Sequence, residues 1–165
     1  MNRSMIDEFA RGIGLLSYAT EGLTPLELRS RSGPGEWSIA QVVLHMMDSD
    51  LVGADRMKRV IAEDTPTLLA YDETKWAASL FYEEQPVATA AVLFDLNRRH
   101  VADVLRRLDD ATFERAGIHT ERGRETLEQL VCDYAAHLDH HLKFIFEKRQ
   151  RLGRPIAPRY SRGET

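Results

Sequence analysis

The stretch Thr126–Arg151, TLEQLVCDYAAHLDHHLKFIFEKRQR, decides the fold. It has no Gly or Pro and spaces Leu127, Leu130, Val131, Tyr134, Leu138, Leu142 and Ile145 at helical intervals. That pattern is one long amphipathic helix with a single apolar stripe, which needs partner helices to cover it. Thr126 with Gln129 three residues later has the form of a capping box, so the helix start is defined as well.

Three histidines fall on inward faces. At about 100° per residue, His141 sits inside the apolar stripe of this helix and His137 on its edge, while His140 turns to the polar flank near Asp133 and Glu147. Side chains at i and i+4 have Cβ atoms roughly 6 Å apart, close enough for two imidazoles to share one ion. The third histidine lies in Ser38–Ala62, SIAQVVLHMMDSDLVGADRMKRVIA, where Ile39, Val42, Val43, Met46, Gly53, Met57, Val60 and Ile61 form another stripe with His45 at its edge. Ser38 and Gln41 form a second capping box. The residues alone leave two readings open: core imidazoles hydrogen-bonded to neighbouring polar groups, or the donor set of a divalent metal with open coordination positions.

Two further helices complete the set. One spans about Met5–Ala19 with Ile6, Phe9, Ile13 and Leu16 as its buried face, and another runs from Pro86, favoured at a first helical position, to Leu108 through Val92, Leu96, Val101, Val104 and Leu105. Thr24-Pro25-x-Glu27 predicts a capped helical turn, and Arg31–Trp37, RSGPGEW, is turn chemistry. The aromatic-rich crossover Asp64–Gln85 is expected to carry short helical pieces over one end of the bundle, and Asp109–Glu125 is expected as a loop. Without a strand pattern, the fold class is all-α, a four-helix bundle forming one domain over residues 1–152, with 153–165 as a flexible C-terminal tail.

Composition narrows the function classes. The chain has 165 residues, 43% hydrophobic and 29% charged, which suits one globular domain. A net charge of −4 with basic residues scattered among acids argues against nucleic acid as a partner. Cys132 is the only cysteine, so no intrachain disulfide forms and a cytoplasmic location is expected; its place opposite His141 reads as a small packing residue. Asp7 and Glu8 interrupt the run a signal peptide would need, and no stretch approaches the roughly 20 apolar residues of a membrane span. No Glu has a His three residues on, which disfavours a carboxylate-bridged di-iron bundle, and H-E-x-x-H, C-x-x-C, P-loop, G-x-G-x-x-G and nucleophile-elbow motifs are all absent.

The order GEWSIAQVVLHMMDSD, YDETKWA and GIHTERGRETLEQLVCDYAAHLDHHLKFI resembles the DinB/YfiT-like superfamily of small metalloenzymes, most closely its YfiT-like branch, over about Trp37 to Ile145. The resemblance implies a four-helix bundle holding one divalent ion, often zinc or nickel, by three histidines that match His45, His137 and His141. It also implies a small-molecule substrate. Members include S-transferases and isomerases that use a low-molecular-weight thiol cosubstrate, and homodimers are common. The family name refers to DNA-damage induction and implies no DNA contact.

Three neutral imidazoles leave room for water or substrate, so hydrolysis and thiol transfer are both chemically open. A non-catalytic bundle, with or without metal, is the alternative. Asp48, three residues after His45, is the expected general base, and Trp37, Tyr71, Trp76 and Tyr82 are candidates for a pocket mouth. His119 is expected to be exposed or locally hydrogen-bonded, and His100 to lie on the surface.

Overall fold

The computed structural model describes residues 3–163. In chain order the elements are α1 (Ser4–Arg11), α2 (Leu15–Thr20), α3 (Pro25–Arg29), α4 (Ile39–Ala62), β1 (Thr67–Leu68), α5 (Glu73–Ser79), α6 (Val87–Leu105), β2 (Ala116–His119), β3 (Gly123–Thr126) and α7 (Leu127–Arg151), with a 3-10 turn at Asp110–Glu114. The α1–α2 pair, α4, α6 and α7 pack against one another as a four-helix bundle. No helix among the described residues is long and apolar enough to cross a membrane.

The long helices start where their side chains dictate. Ser38 Oγ accepts from the Gln41 N–H at 3.2 Å while Gln41 Oε1 accepts from the Ser38 N–H at 3.0 Å. Thr126 and Gln129 repeat this reciprocal pair at 3.1 and 2.8 Å. Each box satisfies two N–H groups that the first helical turn leaves without partners. Thr24 and Glu27 cap the short α3 in the same way.

The core divides into two apolar groups, one around Leu44, Phe94 and Leu142 and the other around Met57, Phe113 and Leu130. At the level between them Arg98 of α6 is fully buried and donates to Asp50 of α4, to the Phe9 carbonyl of α1 and to the Tyr134 carbonyl of α7. One guanidinium therefore touches all four layers of the bundle.

Two departures from the sequence reading lie beside that arginine. The first helix does not run unbroken from Met5 to Ala19. It stops at Arg11 and restarts at Leu15, and the link packs so close to the core that a Cβ on Gly12 would lie 2.3 Å from Arg98 Nη1 and 2.6 Å from Leu138 Cδ2. Gly14 then takes φ +84° and its N–H donates to Asp95 Oδ1 at 2.8 Å. On α6, Val101 and Leu105 are buried as expected, but Val92 and Leu96 point outward, 55% and 58% exposed, and Ala91, Phe94 and Arg98 take the core face in that half of the helix. The expected stripe is rotated because Arg98, with Asp50 as its partner, takes a core position that an apolar count assigns elsewhere.

The loops also hold a small sheet that period-2 patterning does not reveal. β1 pairs in parallel with β2, Thr67 opposite Ile118 and Leu68 opposite His119, and β2 pairs antiparallel with β3 around Gly123. Cys132 is exposed and is not a packing residue. Most described residues of the C-terminal segment are exposed, but it touches the bundle at two points: Ser161 is buried, its N–H donating to Asp139 Oδ1 at 2.7 Å, and Tyr18 donates to the Ala157 carbonyl at 2.8 Å.

Candidate metal centre

α4 carries His45 two turns after its cap, and α7 carries His137 and His141 one turn apart, so the packing of these two helices brings the three rings together. His137 Nε2 lies 3.4 Å from His45 Nε2 and 3.1 Å from His141 Nε2. One nitrogen from each ring falls within 4.8 Å of the other two. His140 is exposed and sits outside this cluster, as its position on the polar flank requires.

Burial sets the electrostatics. Desolvation first, and then a neighbouring imidazole, His141 for His45, His45 for His137 and His137 for His141, together push the pKa of each ring down to about 3. All three rings are therefore neutral at neutral pH, and each has a lone pair to offer. Ser49, one turn beyond His45, holds its Oγ 3.4 Å from His137 Nδ1. With Nδ1 donating to the hydroxyl, the Nε2 lone pair of His137 faces the other two rings. His45 Nδ1 and His141 Nδ1 are buried without a hydrogen-bond partner. Three neutral nitrogens converging from two rigid helices fit a divalent transition metal in type and number. The indole of Trp37 packs edge-on against His45 at 5.2 Å and shields that ring.

Asp48 is not where the sequence reading expects a base. Its carboxylate accepts from the buried Tyr82 hydroxyl, and it lines a separate depression with Leu51, Val52 and Trp76. Three residues after His45 is nearly one turn, but the remaining rotation carries the side chain toward α5 and the crossover. The carboxylate that approaches the imidazoles is Glu73, whose Oε2 lies 3.8 Å from His45 Nε2. It occupies the first turn of α5, a helix capped by Asp72 Oδ1 accepting from the Lys75 N–H at 2.9 Å. The cap Asp72 was the available signal in YDETKWA, since it fixes where Glu73 stands.

A cavity of about 470 Å³ opens beside the rings. His45, Ser49, Arg56, Tyr71, Glu73, His119, Tyr134 and His137 line it, with the exposed Glu121, Arg122, Asp133 and His140 at its edge. Tyr71 belongs to it and stacks on Trp76 at 4.5 Å, whereas Tyr82 is withdrawn into the core. His119 makes the expected local bonds, its Nδ1 accepting from the Glu121 and Arg122 N–H groups at 3.2 and 3.3 Å, but it is 5% exposed and forms part of the cavity wall. His100 is on the surface.

Comparison with known proteins places this geometry in a family. The sequence model of the DinB superfamily matches residues 8–145. The chain is 33% identical over 140 residues to YfiT of Bacillus subtilis, covering 84% of this chain and 78% of that one. A relative in Bacillus mycoides is 32% identical over 137 residues, covering 83% of this chain and 79% of its own. Both carry the provisional name of metal-dependent hydrolase. The solved structure of Bacillus subtilis YfiT, described as a four-helix bundle of unusual topology, superposes with a TM-score of 0.86 at 26% identity over 93% of this chain and 90% of that one.

Proposed function

The chain belongs to the DinB superfamily, and from that premise we propose that it is a metal-dependent hydrolase of a small molecule. His45, His137 and His141 hold one divalent ion, zinc or nickel, in this reading. The observation that carries it is the convergence of three neutral Nε2 atoms beside an open cavity. The names of the Bacillus relatives support the same reaction class.

An ion held by these three imidazoles would supply Lewis acidity, enough to bring the pKa of a water or a thiol near 7. The rest of the chemistry belongs to the chain. Glu73 is the proton acceptor: its carboxylate is the one that reaches the imidazoles, and a base must stand within hydrogen-bond reach of the proton it takes, directly or through one water. Ser49 holds the ring of His137 in one orientation. Trp37 packs on His45 and keeps water from that side of the ring. Tyr71, its ring backed by Trp76, gives the cavity an aromatic side against which an organic substrate packs.

Elemental analysis of protein purified without an affinity tag or chelator tests the assignment. Near one zinc or nickel per chain is expected, with loss of most of it in His141→Ala and retention in His140→Ala. Equal retention in the two variants removes the basis for the site, and no uptake even after incubation with either metal favours a non-catalytic bundle. Turnover that requires an added thiol redirects the reaction to S-transfer on the same residues.

A further inference from the structure

We propose that Arg56 anchors an oxyanion group of the substrate, a carboxylate or a phosphate, and so holds the reactive part of the molecule over the three imidazoles. This deepens the functional reading above and rests on the histidine cluster being the reaction centre.

Arg56 lines the same cavity as His45 and His137 yet is only 6% exposed. Its bonds go to neutral acceptors. Nη1 donates to the Tyr134 hydroxyl at 2.9 Å, Nη2 donates to the Leu69 carbonyl, and Nε is buried with no partner. No ion pair joins it to a carboxylate among the described residues. Of the other buried arginines, Arg98 has Asp50 as a counter-charge, and Arg149, also without a carboxylate, has its Nε met by the Arg154 carbonyl and Nη1 by those of Ala19 and Glu21, so the unmet Nε sets Arg56 apart. A guanidinium taken out of water with a donor unmet and no counter-charge is costly unless something charged completes it. A bound oxyanion does so, and guanidinium geometry suits both carboxylate and phosphate.

The surroundings agree. Tyr134 accepts from Arg56, which leaves its own hydroxyl hydrogen free to donate. His119 accepts twice at Nδ1, so its neutral ring carries its proton on Nε2 and is a donor too. The acids of the cavity, Glu73, Glu121 and Asp133, are all exposed. Arg122 shares that exposed edge, so among the described residues the one buried charge of the cavity wall is the Arg56 guanidinium, which draws the charged end of an anionic substrate inward.

The test is titration with inorganic phosphate and, separately, acetate at constant ionic strength, on the protein as purified and again after chelation. The readouts are the Arg56 Nε–H resonance in the wild-type protein and calorimetric affinity in wild type, Arg56→Lys and Arg56→Met. The resonance is expected to move on titration with at least one probe without metal, and Arg56→Met to weaken binding about tenfold or more with Arg56→Lys between. A stationary resonance with both probes overturns the proposal even if the Met variant fails to fold. Binding only to metal-loaded protein with Arg56 unmoved also overturns it, while leaving the metal reading intact. A moving resonance in a protein that takes up neither zinc nor nickel does the reverse.

Discussion

Arg98 and Asp50 meet where neither reaches water: Arg98 Nε donates to Asp50 Oδ1 at 2.8 Å, with the two side chains 0% and 2% exposed. Asn97 Nδ2 donates to the second carboxylate oxygen at 2.8 Å, and the rings of Phe9 and Phe94 flank the guanidinium at 4.4 and 4.6 Å. The pair links α4 to α6, and Arg98 also donates to the carbonyl of Tyr134 on α7, a residue that lines the cavity. Its role is to fix the relative positions of helices that a purely apolar interface would leave freer to slide.

Removing one partner of such a pair leaves the other charge buried. Asp50→Ala is expected to destabilise the protein by about 3–5 kcal/mol, read from the urea midpoint. A loss under about 1 kcal/mol, the scale of exposed pairs, contradicts the role given to the pair.

Acid is expected to destabilise the metal-free protein over a defined window. The three imidazoles have pKa values near 3 when folded, against the ordinary 6.5 when unfolded. Below 6.5 the unfolded chain therefore binds protons that the folded chain refuses, so stability is full above that pH and falls as pH drops toward 3, by at most about 1.4 kcal/mol per pH unit for each ring. Melting temperatures at pH 7, 6 and 5 should decline, and replacing His45 by Leu should flatten the decline; a level profile in the wild-type protein contradicts the burial of these rings.

Gly53 faces the ring of Tyr134, and a Cβ there would lie 2.5 Å from Cε1 and Cζ. Gly53→Ala should cost about 1–3 kcal/mol by overpacking, measured by chemical denaturation. A neutral or stabilising substitution would mean that α4 and α7 are less closely seated than described.

Glu73→Gln keeps the shape of the side chain and removes its basicity. Turnover of the first substrate found to need metal should fall about 10²- to 10⁴-fold while metal content per chain stays at the wild-type level. Unchanged turnover assigns the proton to another acceptor, and lost metal assigns Glu73 to the ion.

The parts of the fold legible in the sequence were those governed by local chemistry. Ser38 with Gln41 and Thr126 with Gln129 defined their helices because a cap is a contact within one turn. The angular count put His45, His137 and His141 inward and His140 outward because α4 and α7 are regular through those turns. The face of α6 around Val92 and Leu96 was not legible, since Arg98 enters the core there and its partner Asp50 is distant in sequence. Asp48 is the base that sequence proximity to His45 suggests, whereas the contact of Glu73 with His45 depends on how the crossover folds back. Arg56, within DRMKR, reads as an ordinary solvated basic residue until Leu69 and Tyr134 close over it.

The parallel pairing of β1 with β2 has a further consequence. The Ile118 and Thr120 N–H groups donate to the Pro66 and Leu68 carbonyls at 2.8 and 3.0 Å, which binds the crossover to the hairpin before α7. Glu73 follows from one of these segments and His119 stands in the other, so the two behave as a single cassette laid over the rings. Grafting only one segment from a relative will misalign both walls of the cavity, and altering substrate preference in this bundle means exchanging residues 64–85 and 116–126 together.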